Sequence, residues 1–150
     1  MQSFFKDIFI YHHHFNQKLG EQLQAHAASV PERAHFLFSH FILAHQIWNS
    51  RILGQQPMAL NQTLAVDQCL DLDRINLEAS LNILDTVDLG QTIHYQNYKG
   101  QRFINTVLHI LFHLSNHSSH HKGQLVAELR RSGIDPVVTD YIFYKRQEIS

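Results

Sequence analysis

The chain has little that would staple it, kink it or give it a strong charge. Its 150 residues include one cysteine, three prolines and six glycines. A lone Cys69 excludes an internal disulfide, so nothing asks for an oxidising compartment. No histidine or basic residue stands beside it to lower its pKa, which argues against a nucleophilic role. Charge is sparse and balanced, with 12 Lys and Arg against 13 Asp and Glu, and no block of one sign. That leaves no electrostatic footprint for nucleic acid or an anionic membrane. No stretch approaches the roughly 18 uncharged apolar residues of a membrane span. The apolar N-terminus (Phe4, Phe5, Ile8, Phe9, Ile10) is interrupted by Lys6 and Asp7, and no signal-peptide pattern follows. The expectation is a cytoplasmic protein whose partners include neither nucleic acid nor membrane.

Histidine is what the chain has in excess: 13 residues, as many as all the acidic ones together. They cluster at 12–14, at 35, 40 and 45, and at 109, 113, 117, 120 and 121. Apolar residues make up 44% and charged ones 17%, the balance of an ordinary globular protein. The length fits a single domain over 1–150 with a full hydrophobic core.

Apolar periodicity predicts four helices. Phe4, Ile8, Tyr11, Phe15, Leu19 and Leu23 mark a stripe over about 2–28. A second helix spans about 31–53, with Ser29 as N-cap before Pro31 and Gly54 at its end. It is apolar over more than half its circumference, which makes it central. Residues 55–70 lack strong periodicity and read as a connection. A third helix over about 71–88 carries Leu72, Ile75, Leu77, Leu81, Ile83 and Leu84. The β-prone Thr92–Tyr95 and Arg102–Ile104 flank the turn-like Asn97-Tyr98-Lys99-Gly100, giving a short hairpin within 91–105. The last helix runs over about 105–132, with Arg130 and Arg131 complementing its dipole, Gly133 at its C′ position and Pro136 beyond. An aromatic tail, Asp140–Lys145, packs back on the bundle. The fold class is all-α: a four-helix bundle with a short β-hairpin before the last long helix.

On that last helix His109, His113, His117 and His121 form one i, i+4 stripe, while His120 is displaced from His121 by about 100°. Any of three successive pairs brings two imidazoles to one face, close enough to share a metal ion. The small residues Ser118, Ser119 and Gly123 favour the pair 117/121 by admitting a neighbouring helix. On the second helix His40 and His45 are about 140° apart and cannot both face one ion. His40 shares a face with Phe36, Leu37, Leu43, Ala44 and Ile47, and His45 shares one with Phe41, Trp48 and Ile52. Periodicity does not choose between them.

Two segments carry a family resemblance. His40-Phe-Ile-Leu-Ala-His45-Gln-Ile-Trp48-Asn-Ser-Arg51 resembles the second helix of the DinB/YfiT-like metalloenzyme family, the damage-inducible helical bundles unrelated to the DNA polymerase of that name. His113-Leu-Ser-Asn116-His117-Ser-Ser-His120-His121-Lys122-Gly123-Gln124 resembles that family's H-x2-NH-x3-H-[RK]-GQ signature, with Lys122 in place of the more usual arginine. Tyr95 with Gly100, and more weakly Tyr11 with Asn16, also match its pattern. The connection between the first two helices is shorter than is typical of the family. The resemblance implies His40, His117 and His121 as metal ligands. It puts His45 where the family often has Glu, as a residue at the site's rim, and His45 and His113 are the candidates for proton transfer.

Three neutral imidazoles leave an ion its full charge and an open face. Such an ion lowers the pKa of a bound water or activates a thiolate. Zinc and nickel suit imidazole best, with manganese and iron as alternatives. The resemblance implies a metal-dependent hydrolase or a transferase of low-molecular-weight thiols, acting on a small-molecule thiol or electrophile. Members of the family commonly pair, so a homodimer is expected. The alternative is a non-catalytic, metal-binding or stress-associated dimeric bundle.

Overall fold

The computed structural model describes residues 1–149. It contains α1 (Gln2–Ala25), α2 (Glu32–Leu53), α3 (Val66–Thr86), β1 (Thr92–Gln96), β2 (Arg102–Thr106), α4 (Val107–Arg131) and α5 (Tyr141–Lys145). This is the expected helical bundle with an antiparallel hairpin before the last long helix. The aromatic tail adds a short fifth helix. Tyr141 and Lys145 bond Asp7, the former at 2.5 Å and the latter at 2.7 Å.

Cross-helix contacts fix the directions. Lys6 pairs with Asp85, and Gln17 Nε2 donates to Leu70 O at 3.1 Å, so α1 and α3 are antiparallel. Asn76 donates to Ile42 O at 3.0 Å while His45 meets Ser80 at 2.7 Å, so α2 and α3 are parallel. Arg33 reaches Glu128 at 3.2 Å while the Trp48 ring lies 5.5 Å from that of His113, so α2 and α4 are antiparallel. The result is an up–down–down–up bundle. Parallel neighbours need a crossover, and residues 54–65 supply it. The chain turns at Gly54 (φ 67°), runs back along α2, and is held by bonds from Met58 N to Gln46 (3.0 Å) and from Leu64 N to Ser39 (2.9 Å).

The core is split by height. One apolar cluster gathers Leu19, Leu23, Leu37, Phe38, Leu125 and Leu129; another gathers Phe5, Phe9, Ile52, Ile83, Leu111 and Leu114. Between them, following each helix in turn, lie the buried polar residues His12, Asn16, Asn49, Asp73, Asn76, Ser80 and Lys122. Burial of so many polar groups is sustained by mutual hydrogen bonding. The Asp73 carboxylate accepts from His13 (2.6 Å), Asn16 (2.7 Å) and Gln17 (2.8 Å). Asn49 donates to Asn76 O at 3.0 Å.

That polar layer explains where the helices differ from their apolar pattern. The helix α3 starts at Val66, five residues before the expected start, because its buried face runs Cys69, Leu70, Asp73, Asn76, Ser80, Ile83 and Leu84. The polar residues in mid-stripe hide that face from a hydropathy reading, and Ile75, expected inside, is 59% exposed. At the start of α1 the buried positions are Phe5 and Phe9 rather than Phe4, which is 59% exposed, while Tyr11, Phe15, Leu19 and Leu23 are buried as expected and the helix ends at Ala25. At the start of α2, Pro31 rather than Ser29 is the N-cap, and no side chain caps it. Thr106 ends β2 and caps α4, its hydroxyl accepting from His109 N at 3.2 Å. Helix α4 therefore begins at Val107.

The close helix approach also falls elsewhere than expected. A Cβ on Gly123 would meet nothing within 4 Å, whereas one on Gly20 would lie 2.4 Å from Leu70 Cδ2 and 2.9 Å from its Cγ. Gly20 is what lets α1 and α3 touch. Gly20→Ala is expected to lower stability by about 1–3 kcal/mol in chemical unfolding despite alanine's better helix propensity, because overpacking at Leu70 and Phe38 outweighs it. A neutral or stabilising result would show that the Leu70 side chain moves aside freely.

Candidate metal centre

The antiparallel packing of α2 against α4 sets His40 opposite His117 and His121. One ring nitrogen from each of the three lies within 4.8 Å of the others, and all three side chains are half-buried. The His117 and His121 Nε2 atoms are 3.1 Å apart. Two nitrogens each about 2.0–2.1 Å from one ion would be separated by about 2.9–3.4 Å across cis-octahedral to tetrahedral angles. The observed spacing falls inside that interval. The His40 ring centroid lies 4.7 Å from that of His121 and 5.3 Å from that of His117.

The chemistry of these groups agrees with a ligand set. His121 Nδ1 donates to Gln124 Oε1 at 2.7 Å, which fixes the ring and leaves Nε2 to accept or ligate. Burial, followed by repulsion from His121, His113, His40 and His120, pushes the His117 imidazole down to about 3. Burial and the His121 neighbour also lower His40. Both rings are thus kept neutral, the form that binds a metal. No carboxylate belongs to the cluster.

The other histidines do different things. His120 is exposed and outside the three-histidine group, its ring standing 4.9 Å edge-on from that of His121. The ring of His113 stands 5.2 Å from that of His117 and helps line a cavity of about 240 Å³ with Trp48, Tyr95, Asn105 and His109. Arg51 lies over both Trp48 (4.4 Å) and Tyr95 (4.9 Å), tying α2 to the hairpin beside that cavity. His45 points away, into the bundle. Its Nε2 meets Ser80 Oγ at 2.7 Å, its ring packs against Phe9, and burial pushes it down to about 4. The N-terminal run divides three ways. His12 is buried against Ser115 (3.2 Å) and Lys122 (3.2 Å), His13 bonds Asp73, and His14 packs on Phe15 and Tyr144.

Lys122 is a buried residue that the sequence pattern presented only as a stand-in for arginine. It lies immediately after a ligand candidate but points to the opposite side, its Nζ near His12 and 5.5 Å from the centre of the Tyr11 ring. Burial pushes its ammonium down to about 7. The available signal was helical angle, since Lys122 shares its face with Leu114, Leu125 and Leu129. Cys69 is buried, and burial raises its thiol to about 11, in keeping with an inert thiol.

The family comparison covers nearly all of this. The DinB family pattern matches residues 14–150, which takes in the hairpin and all three clustered histidines. The chain belongs to the DinB family. No curated protein and no solved structure matches it beyond that. In this DinB chain His40, His117 and His121, the residues that the sequence resemblance singled out, are brought together by the bundle.

The buried histidines tie stability to pH. His45 has an ordinary pKa of 6.5 when unfolded and about 4 when folded, so the unfolded chain takes up the proton first. The contribution of neutral His45 to stability is full above pH 6.5 and is lost as pH falls toward 4. Thermal melts of metal-free protein should therefore shift downward across that window, and His45→Gln should flatten the slope. An unchanged slope in the variant would mean that His45 is not desolvated.

Proposed function

We propose that this DinB chain is a metal-dependent enzyme, a hydrolase or a low-molecular-weight thiol S-transferase, in which His40, His117 and His121 hold one divalent ion. The observation that carries this reading is the convergence of three ring nitrogens within 4.8 Å, with 3.1 Å between the Nε2 atoms of the i, i+4 pair. Zinc or nickel is the first expectation for an all-imidazole set, and manganese or iron the next. Bound there, such an ion supplies a lowered pKa to a water or thiol.

The chain's own residues supply the rest. Neutral His40 and His117 donate lone pairs without adding charge, and Gln124 orients His121. His113, exposed beside His117, can take a proton from a nucleophile or return one to a leaving group. His45 is bonded to Ser80 and serves the interior. A second reading, a metal-binding dimeric bundle without catalysis, draws on Ile142 and Phe143. They are 64% and 48% exposed while their neighbours Tyr141 and Tyr144 pack on Tyr11. Paired chains would cover those two side chains.

Metal titration with circular dichroism as a fold control tests the ligand set. Wild type is expected to bind one ion per chain. Orienting partners of metal ligands contribute about 10–100-fold to affinity, so Gln124→Ala should weaken binding within that range. His40→Ala, His117→Ala and His121→Ala should each exceed it, and His26→Ala, outside the cluster, should change nothing. Retention of full affinity by the three histidine variants would overturn the reading.

A further inference from the structure

A cleft of about 530 Å³ adjoins the proposed metal site at His40. Its lining is Phe36, His40, Leu60, Asn61 and Tyr98, so one wall is a proposed ligand. The remaining wall is predominantly apolar and is drawn from three parts of the chain: α2, the 54–65 crossover and the hairpin turn. Phe36 is 47% exposed, Leu60 44% and Tyr98 92%. Single exposed apolar side chains need no explanation, but three converging from separate elements beside a reactive site do. The Phe36 ring stacks on that of His40 at 5.8 Å and 22°, so an apolar side chain of the cleft adjoins the ligand candidate directly. Tyr98 lines the cleft from the hairpin turn, whose backbone is fixed where Asn97 Oδ1 accepts from Lys99 N and Gln101 N at 3.0 Å each and Gly100 takes a φ of 75°.

Resting on the three-histidine reading, we propose that this cleft seats the apolar body of a small substrate whose polar head reaches the metal. Substrates with an alkyl or aryl body are then preferred over small, fully polar ones. His40 joins the two parts because it belongs both to the ligand set and to the apolar wall. Leu60 and Tyr98 determine specificity without touching the metal-binding nitrogens.

Cobalt-loaded protein and a series of alkyl hydroxamates (aceto-, butyro- and hexanohydroxamate) test this through the visible absorption of the cobalt. Each added methylene should tighten binding about threefold to fourfold if it leaves water for the cleft. In Leu60→Ser and Tyr98→Ser that gain should fall to half or less, with cobalt affinity and acetohydroxamate affinity unchanged. If acetohydroxamate perturbs the cobalt spectrum but affinity is flat along the series, the inference is wrong and the three-histidine reading stands. If cobalt does not bind, that reading fails and the inference falls with it. If affinity is flat and sedimentation shows a dimer that Leu60→Ser disrupts, the cleft is an interface between two copies and the proposal is overturned.

Discussion

The antiparallel pairing of α2 with α4 is the constraint from which the site follows. Two helices at ordinary packing distance, run in opposite directions, bring position 40 level with positions 117 and 121. An i, i+4 pair then supplies two imidazoles from one helix, and the third comes from the facing helix without any distortion of backbone. Among the described residues no non-glycine residue has positive φ. The geometry is thus a consequence of helix packing rather than of local strain.

The polar layer at mid-height complements this arrangement. Asp73, Asn76, Ser80, Asn49, His12 and Lys122 interrupt the apolar core between its two clusters. A core of uniform hydrophobicity tolerates sliding of helices past one another. A bonded layer such as the Asp73 cluster fixes their relative height, because any slip leaves buried donors and acceptors without partners. The ring positions of His40, His117 and His121 depend on that height being fixed.

Much of this was legible in the sequence. Gly54 and Gly133 ended their helices as their positions indicated, and the Asn97–Gly100 turn marked the hairpin. The His117–His121 pair follows from a simple 3.6-residue period. His40 was not separable from His45 by periodicity, since α2 is buried on several faces; the choice came from the resemblance. The start of α3 was hidden because Asp73, Asn76 and Ser80 occupy positions where an apolar stripe is sought. Gly123 beside the pair suggested a close approach, but the helices touch instead at Gly20, whose role depends on a partner, Leu70, some 50 residues away in sequence. Which residues form the cleft was equally out of reach, because a connection without periodicity reveals nothing of what it lies against.

The crossover between α2 and α3 has a consequence for how such a protein can diversify. It contributes Leu60 and Asn61 to the cleft but no histidine to the cluster, and it is anchored at its ends rather than along its length. Lengthening or rewriting an exposed loop of this kind costs little in closure entropy. Sequence change in the crossover can therefore reshape the cleft beside His40 while the helices that hold the three histidines stay untouched.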